Sequence, residues 1–271
     1  MKIFKNKNKL KKEISGIKNI SFVPTMGGLH KGHISLIKKS KKLKEKTIVS
    51  IFINPKQFNQ RKDFLNYPRN QKKDLSILKR LKVDFIFLPN TNDIFSFKPK
   101  NQVYLDKFSK KLCGKSRKGH FEGVLNVVNR LLEIIKPKFI FFGLKDFQQL
   151  YLVNKHIKKR KIKSKIISCK TIREKNGVAC SSRNKNLNKK QFLIASKVYK
   201  YLKIKKRLFK KKISYFKPKM IKNNLKQIGI TKIEYINILN LNSLKKPKNT
   251  KEKFNIFIAY YLNNVRLIDN I

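Results

Sequence analysis

The chain of 271 residues contains no tryptophan, three cysteines and only 14 acidic residues. The cysteines, Cys113, Cys169 and Cys180, are far apart and odd in number, and they form no CxxC pair. The four histidines are not spaced like zinc ligands. These absences argue against a disulfide framework or a zinc module, and they favour a reducing cytoplasm as the location of the protein.

Long apolar runs are also missing. No stretch approaches the roughly 18 apolar residues that a membrane span requires, and the first ten residues scatter Lys and Asn through the few apolar ones, so they form no signal-peptide core. We therefore expect no membrane partner. Hydrophobic residues still make up 40% of the chain, which is enough for a real core, and the length predicts one large domain or two smaller ones.

Positive charge dominates the surface that the sequence predicts. Sixty-nine Lys and Arg residues against 14 Asp and Glu give a formal net charge of +55, which by itself indicates a nucleic-acid binder. The lysines, however, are spread over the whole chain and accompany abundant Asn, Ile and Phe, the residues that AT-rich codons encode. Our hypothesis is genome-wide drift, with no specific nucleic-acid partner. The charge still attracts polyanions at low salt and concentrates anionic substrates near the protein.

Strands and helices alternate over the first ~170 residues, an order that is typical of α/β folds with a parallel sheet. Strands are predicted at Ser21–Val23, Thr47–Ile53, Val83–Leu88, Phe139–Phe142 and Lys165–Cys169. After that point two Lys-rich helical segments precede strand-like Ile233–Ile238 and Phe254–Tyr261. The sequence thus predicts an α/β domain over residues 1–169 and a smaller α+β domain over residues 170–271. Ligands of a parallel sheet bind at the carboxyl ends of its strands.

The first of these strand ends carries a glycine- and histidine-rich turn. Residues Val23–His33 read VPTMGGLHKGH. The two adjacent glycines allow a tight strand-to-helix turn, and Gly32 lets a bulky ligand approach the backbone closely. A helix N-terminus offers N–H groups and a partial positive charge that suit phosphate, and His30 and His33 add two donors. The alternative is a turn whose histidines only cap or pack.

The second strand ends in Ser50–Phe58, which reads SIFINPKQF. The amides of Asn54 and Gln57 both donate and accept, so they suit a substrate that carries hydroxyl and carboxylate groups. The alternative interpretation is a strand followed by an Asn-Pro turn.

Two later segments carry further polar residues after strands. Phe142–Gln149 reads FGLKDFQQ, in which Lys145 is placed to reach a phosphate, while Asp146 is placed as a helix N-cap that needs no ligand. Ala179–Asn184 reads ACSSRN. Its two hydroxyls and the guanidinium of Arg183 can wrap a triphosphate, although such a segment is as often a simple loop.

Taken together, the motifs resemble those of the pantothenate synthetase family. The resemblance covers nearly the whole chain, through VPTMGGLHKGH, SIFINPKQF, YPR, GHFEGV, FGLKDFQQL, SSRN and the terminal RLIDN of Arg266–Asn270. It implies condensation of pantoate with β-alanine through a pantoyl adenylate, with ATP converted to AMP and pyrophosphate and Mg²⁺ accompanying the ATP. It also implies a Rossmann-like N-terminal domain, a smaller C-terminal domain that closes as a lid, and a homodimer.

The resemblance also assigns residues. It implies nucleotide contacts from Met26, Gly27, Gly28, Leu29, His30, Lys31, Gly32, His33, Gly143, Leu144, Lys145, Asp146, Ile172, Cys180, Ser181, Ser182 and Arg183. It implies catalytic roles for His33, His30, Lys145 and Arg183. Pantoate or β-alanine is expected at Gln57, Gln149 and Asn54, and Asp74 is the candidate ligand for Mg²⁺.

The chain departs from the family pattern in three places. Leu144 replaces the usual Glu, Cys180 stands where Met or Leu is usual, and Lys118 replaces the usual Pro before GHF. None of these departures removes a residue assigned to chemistry, although a carboxylate role at position 144 is lost.

Two other functions stay open at this point. A nucleotidyltransferase shares the HxGH turn but leaves the nucleotide attached to its product, and the organic-acid pocket of Asn54–Phe58 and Gln148–Gln149 argues against it. A nucleic-acid-binding protein explains the charge and none of the motifs.

Overall fold

The computed structural model describes the backbone of residues 1–271 and every side chain except that of Lys62. Nine strands are present in the described chain: β1 Lys2–Phe4, β2 Ile20–Thr25, β3 Lys46–Ile51, β4 Phe85–Phe87, β5 Phe139–Gly143, β6 Lys165–Cys169, β7 Lys232–Asn240, β8 Phe254–Leu262 and β9 Val265–Asn270. Its α-helices are α1 Lys7–Ile14, α2 Lys31–Lys41, α3 Arg61–Leu65, α4 Gln71–Arg80, α5 Thr91–Phe95, α6 Cys113–Ser116, α7 His120–Ile135, α8 Phe147–Lys159, α9 Lys189–Lys211 and α10 Pro218–Gln227. The chain separates into two compact units, Met1–Thr171 and Ile172–Ile271.

The first unit is built on a six-stranded sheet with the order β1-β4-β3-β2-β5-β6, in which every pair is parallel. Its central strands are mostly apolar because both of their faces are covered. Ile48 and Val49 of β3 are 0% exposed, as are Ile86 of β4 and Phe141 of β5. The parallel α/β sheet that the sequence predicts is therefore confirmed.

The order of the strands creates a switch point between β2 and β5. From β2 the chain builds outward through β3 to β4, and it then returns to add β5 and β6 on the other side of β2. Loops that follow strands on the two sides of such a point diverge, so a crevice opens at the carboxyl edge of the sheet. The turn after β2 lies at this crevice, between the loops that follow β3 and β5.

The second unit holds an antiparallel sheet of β7, β8 and β9 with α9 and α10. Apolar residues of β8, such as Ile256 and Ile258, pack with Leu202 of α9 and Ile221 of α10 in its core. Arg173 forms a bidentate ion pair with Asp269 of β9, with N–O distances of 2.7 and 2.9 Å. The small α+β character predicted for this part of the chain is confirmed.

Several predicted boundaries differ from the observed ones. Strand β4 spans only Phe85–Phe87 of the predicted Val83–Leu88, and β2 continues to Thr25, beyond the predicted Val23. Strand β3 ends at Ile51 rather than Ile53, where the chain turns toward the Asn-Pro segment. None of the helices in the described chain is both long and apolar enough to cross a bilayer.

Candidate active site

Three loops meet at the carboxyl edge of the parallel sheet. Strands β3, β2 and β5 are neighbours, and the pairing of Thr25 with Ile51 places the ends of β2 and β3 at the same level. The predicted segments that begin at Met26, Phe52 and Leu144 follow these three ends. The topology thus gathers the glycine turn, the Asn54–Gln57 turn and the Lys145 segment from distant parts of the sequence.

The turn after β2 depends on the conformational freedom of glycine. Gly27 and Gly28 adopt φ values of 76° and 62°, in the left-handed region that disfavours residues with a Cβ. The N–H of Gly27 donates to Oγ1 of Thr25 at 3.2 Å, and this hydroxyl donates to the carbonyl of Ser50 at 2.8 Å. The turn is therefore attached to β3 as well as to its own strand.

Asp74 of α4 supports the glycine turn after β2 through hydrogen bonds. Its side chain is 2% exposed, and its two oxygens accept the N–H groups of Gly28 and Leu29, both at 2.8 Å. These two amides are thus committed to a carboxylate of the protein and do not point to a phosphate. Asp74 as a ligand of Mg²⁺ stays a prediction, and its observed partners are main-chain amides. The described residues contain no group of three or more His, Cys, Asp or Glu that could hold a metal ion.

His30 and His33 lie one above the other at the start of α2. Their ring centroids are 4.0 Å apart with an interplanar angle of 33°. Nδ1 of His30 accepts the N–H of Gly32 at 3.1 Å, so the hydrogen of the neutral ring lies on Nε2. His30 therefore caps the helix, as the alternative interpretation proposed, and its Nε2–H remains a donor in the same ring.

The amide of Gln57 connects the second loop to the first. Its Nε2 lies 2.6 Å from Sδ of Met26, and the residue is 8% exposed. Asn54, 1% exposed, donates from Nδ2 to the carbonyl of Gly123 at 3.0 Å and to Oε1 of Gln57 at 3.4 Å, while its Oδ1 accepts the N–H of Lys56. Asn54 thus orients Gln57 and caps the turn; a direct substrate contact from Asn54 stays a prediction.

The third loop places Lys145 and Gln149 at the end of β5. Lys145, whose side chain is 17% exposed, lies 3.2 Å from Oδ1 of Asp146. Asp146 precedes α8 but makes no side-chain capping hydrogen bond. Gln148 accepts the N–H of Cys113 and donates to two carbonyls of the 108–111 segment. The amide of Gln148 thus fixes a loop, and the pocket predicted for the glutamine pair depends on Gln149, which is half-buried.

The remaining predicted contacts belong to the second unit. Cys180 is 3% exposed, and its N–H donates to the carbonyl of Ile172 at 2.9 Å. Oγ of Ser181 accepts the N–H of Arg183 at 3.3 Å and begins a turn over Ser182–Asn186. This segment is a loop with one short helical turn, and binding of a triphosphate by its hydroxyls and the Arg183 guanidinium stays a prediction.

Sequence reasoning missed the reason for a glycine in α7. A Cβ at Gly123 would lie 2.3 Å from the carbonyl oxygen of Lys56, so the helix can approach the Asn54–Gln57 turn only without a side chain there. The signal was present in the GHFEGV segment, because a glycine inside an amphipathic helix costs stability unless close packing requires it.

A parallel sheet with a glycine turn, two histidines and a lysine at its switch point defines a nucleotide-using α/β enzyme. Comparison with known proteins narrows this class. The chain matches the family model described as Pantoate-beta-alanine ligase over residues 2–271. The chain belongs to this family of ligases.

Relatives and solved structures agree over the full length. The pantothenate synthetase of Endomicrobium trichonymphae is 41% identical over 100% of this chain and 97% of that protein. That of Flavobacterium psychrophilum is 40% identical over 98% and 95%. The pantoate–β-alanine ligase of Francisella tularensis, solved in complex with beta-gamma ATP and β-alanine, is 39% identical with a TM-score of 0.83, covering 100% of this chain and 97% of that one. The pantothenate synthetase of Thermus thermophilus is 27% identical with a TM-score of 0.88, covering 100% and 99%.

Proposed function

We propose that this chain condenses pantoate with β-alanine at the expense of ATP, through a pantoyl-adenylate intermediate. The observation that carries the proposal is the contact between Gln57 and Met26, which joins the predicted pantoate glutamine to the predicted ATP turn. A carboxylate substrate held by Gln57 and Gln149 lies beside a nucleotide held at the glycine turn. Such proximity is what an attack of one substrate on the other requires.

The first step forms the adenylate. A carboxylate oxygen of pantoate attacks the α-phosphorus of ATP, and the bond from that phosphorus to the pyrophosphate oxygen breaks. Negative charge spreads over the phosphate oxygens, so fixed hydrogen-bond donors, some of them positively charged, are the main catalytic device. We assign this role to His33, His30, Lys145 and Arg183, and we assign Gly143 to Asp146 and Ile172 to the nucleotide as well.

The second step forms the amide bond. The neutral amine of β-alanine attacks the acyl carbon, AMP leaves with the electron pair of the breaking C–O bond, and the amine releases a proton to solvent. No covalent protein nucleophile is needed. Mg²⁺ entering with ATP would neutralise phosphate charge during the first step. Asp74 accepts two main-chain N–H groups and supports the turn, so neither step of the proposed reaction involves its carboxylate.

Three further statements belong to the proposal. Residues 170–271 act as a lid that protects the adenylate from water. The enzyme is a cytoplasmic homodimer, and light scattering tests its state, since a monomer at working concentration contradicts it. No specific nucleic acid is a partner, so binding to DNA should lose its strength steeply with salt and show no preference for sequence.

The decisive experiment measures AMP release by the purified protein given Mg-ATP and pantoate, with and without β-alanine. AMP formed rapidly only with both substrates supports the ligase and shows that Leu144 is tolerated. Pyrophosphate released without β-alanine-dependent turnover places a defect in the second step. A product that keeps the nucleotide indicates a nucleotidyltransferase instead, and silence from folded protein rejects the proposal.

His33 has its own test. We expect His33→Ala to slow adenylate formation by on the order of 10², as the loss of one transition-state donor does elsewhere. Single-turnover kinetics with pantoate and ATP measure this step alone, and a rate equal to that of the wild type contradicts the role.

A further inference from the structure

The main-chain carbonyl of Gln57 receives two side-chain donors from the start of α7, namely Arg117 just before the helix and His120, its first residue. Nδ1 of His120 lies 2.7 Å from this oxygen, and Nη2 of Arg117 lies 3.2 Å from it. Nη1 of Arg117 is also 3.0 Å from Nε2 of His120. The three groups therefore form a closed triangle around one carbonyl oxygen. His120 is 9% exposed, so the triangle is largely shielded from water.

The chemistry of the triangle fixes the form of the imidazole. A carbonyl oxygen can only accept, so His120 must carry a hydrogen on Nδ1 to bond it. The guanidinium of Arg117 can only donate, so Nε2 of His120 must be the acceptor in the second contact. The ring is thus neutral, with its tautomer defined by both neighbours, and Arg117 supplies the positive charge. Two donors on one oxygen, one of them charged, hold it more firmly than a single neutral bond.

Other contacts attach the same two segments to each other. Asn59 donates from Nδ2 to the carbonyl of Lys118, and Asn54 donates to the carbonyl of Gly123. Each contact joins the 54–59 turn to the first residues of α7 or to the turn before it. The backbone on both sides of Gln57 is therefore clamped, while its side chain extends to Met26.

We propose that His120 and Arg117 are positioning residues that hold the Gln57 main chain, and through it the Gln57 amide, in the geometry that binds pantoate. The inference rests on the proposed function, because it takes Gln57 as a pantoate ligand. His120 and Arg117 need not touch the substrate. The His of the GHFEGV motif thereby receives a role: it holds the main-chain carbonyl oxygen of Gln57, 63 residues earlier in the chain.

This arrangement predicts a selective defect. Loss of the triangle loosens the Gln57 amide by freeing its main chain, whereas the glycine turn keeps its own supports in Thr25 and Asp74. The KM for pantoate should therefore rise while the KM for ATP stays near its wild-type value. A residue needed only for folding would lower the amount of active enzyme and leave both KM values unchanged.

The experiment compares His120→Phe with His120→Asn. Phenylalanine fills the space without a donor, whereas the amide nitrogen of asparagine falls near the position of Nδ1 and restores the bond to the carbonyl. We expect His120→Phe to raise the KM for pantoate about tenfold, which is about 1.4 kcal/mol, and to change the KM for ATP less than about twofold. We expect His120→Asn to recover most of this loss. Equal changes in both KM values, or no rescue by asparagine, would overturn the proposal.

A double-mutant cycle with Gln57→Ala separates positioning from direct contact. Alanine keeps the carbonyl but has no amide to position, so His120→Phe should change the KM for pantoate less than about twofold in that background. An effect as large as in the wild type shows that His120 acts on the substrate itself, which contradicts the proposal.

Two controls keep the test decisive. If His120→Phe does not fold, Arg117→Met replaces it, since Arg117 is half-buried. We then expect the KM for pantoate to rise about threefold and the KM for ATP to stay unchanged. An unchanged KM for pantoate in this variant contradicts the proposal. Wild-type protein that releases no AMP with pantoate, ATP and β-alanine rejects the proposed function. Wild-type protein that is active, with variants that are unchanged, rejects only the positioning role.

Discussion

Nε2 of Gln57 lies 2.6 Å from Sδ of Met26, although 31 positions separate the two residues in the chain. The parallel pairing of β2 with β3 produces this contact, because both residues follow the ends of adjacent strands. A sulfur atom is a weak acceptor, so a substrate carboxylate can take over the amide hydrogen at little cost. In the proposed function, this is the place where a substrate oxygen would replace the thioether as the acceptor of the Gln57 amide.

The first prediction concerns the charge of the side chain at position 57. Gln57→Glu places a carboxylate against the carboxylate substrate, and like charges in a buried site repel by several kcal/mol. We expect the KM for pantoate to rise by on the order of 10², with little change in the KM for ATP. The matched control is the exposed Gln60→Glu, which changes the net charge equally. Equal effects of the two variants would show that overall charge, not position, is responsible.

The support of the glycine turn predicts a loss of stability. Asp74→Ala leaves the amides of Gly28 and Leu29 without their acceptor in a buried place, which costs about 1–3 kcal/mol for each unsatisfied group. We expect the free energy of unfolding in urea to fall by about 2–4 kcal/mol. Glu13→Ala is the control, because its ion pair with Lys2 lies on the surface and contributes little. A loss of activity without any loss of stability would instead indicate a metal or substrate contact at Asp74.

His156 predicts a pH dependence of stability. This residue is 0% exposed; its Nδ1 accepts the N–H of Tyr104, and its Nε2 pairs with Oδ1 of Asn129. Burial first, and then the charge of Arg160, lower the pKa of His156 to about 4. Below its ordinary pKa near 6.5 the unfolded chain binds a proton that the folded chain refuses, so stability falls as pH falls from about 6.5 to about 4.

The size of that effect is measurable by urea titrations at several pH values. We expect up to about 2–3 kcal/mol to be lost across the window, at about 1.4 kcal/mol per pKa unit. In His156→Gln this part of the slope should disappear, because glutamine does not titrate. Identical slopes in the two proteins would show that other groups produce the acid sensitivity.

Lys206 predicts a stabilising substitution. It is half-buried on α9 and donates to Oδ1 of Asn255 at 2.6 Å. Burial first, and then the charges of Lys210 and Arg173, lower the pKa of Lys206 to about 8. Its ammonium is therefore unfavourable in the folded state below pH 8, and this cost fades as pH rises toward 10.5, where the unfolded chain also loses the proton.

We expect Lys206→Met to raise the free energy of unfolding at pH 7 by about 1 kcal/mol after screening by solvent is included. The advantage should shrink between pH 8 and pH 10.5. Thermal unfolding measures it, with the exposed Lys200→Met of the same helix as the control. A gain of the same size from Lys200→Met attributes the effect to net charge rather than to burial.

The sequence predicts the central strands well because their apolar runs need no tertiary information. Strand β1 was missed, since its short and mostly exposed segment carries no periodicity and pairs only with the distant β4. Strand β9 was also missed as a strand. Its Arg266 and Asp269 look like surface residues until Glu234 and Arg173 are brought against them.

The candidate site, like the fold, could be predicted only in part from the sequence. The resemblance assigns Gln57 to pantoate and His33 to ATP, and these two roles stay predictions. The partner of His120 could not be predicted, since it is a main-chain carbonyl and leaves no trace in the type of residue at position 57. Asp74 shows the same limit, because a carboxylate that accepts main-chain amides looks, in sequence, like a carboxylate that binds a metal.

The few acidic residues of the chain indicate at which positions a substitution has a structural cost. At least half of the 14 accept main-chain N–H groups within the described structure: Asp74, Asp84, Asp93, Asp106, Glu133, Glu252 and Asp269. A single G-to-A change turns a Glu codon into Lys and an Asp codon into Asn, which is the direction expected under the hypothesis of AT-rich drift. At these positions a Glu-to-Lys change removes the acceptor, whereas an Asp-to-Asn change leaves one amide oxygen in place of two carboxylate oxygens. The loss is therefore largest where both oxygens of an Asp accept main-chain N–H groups, as at Asp74.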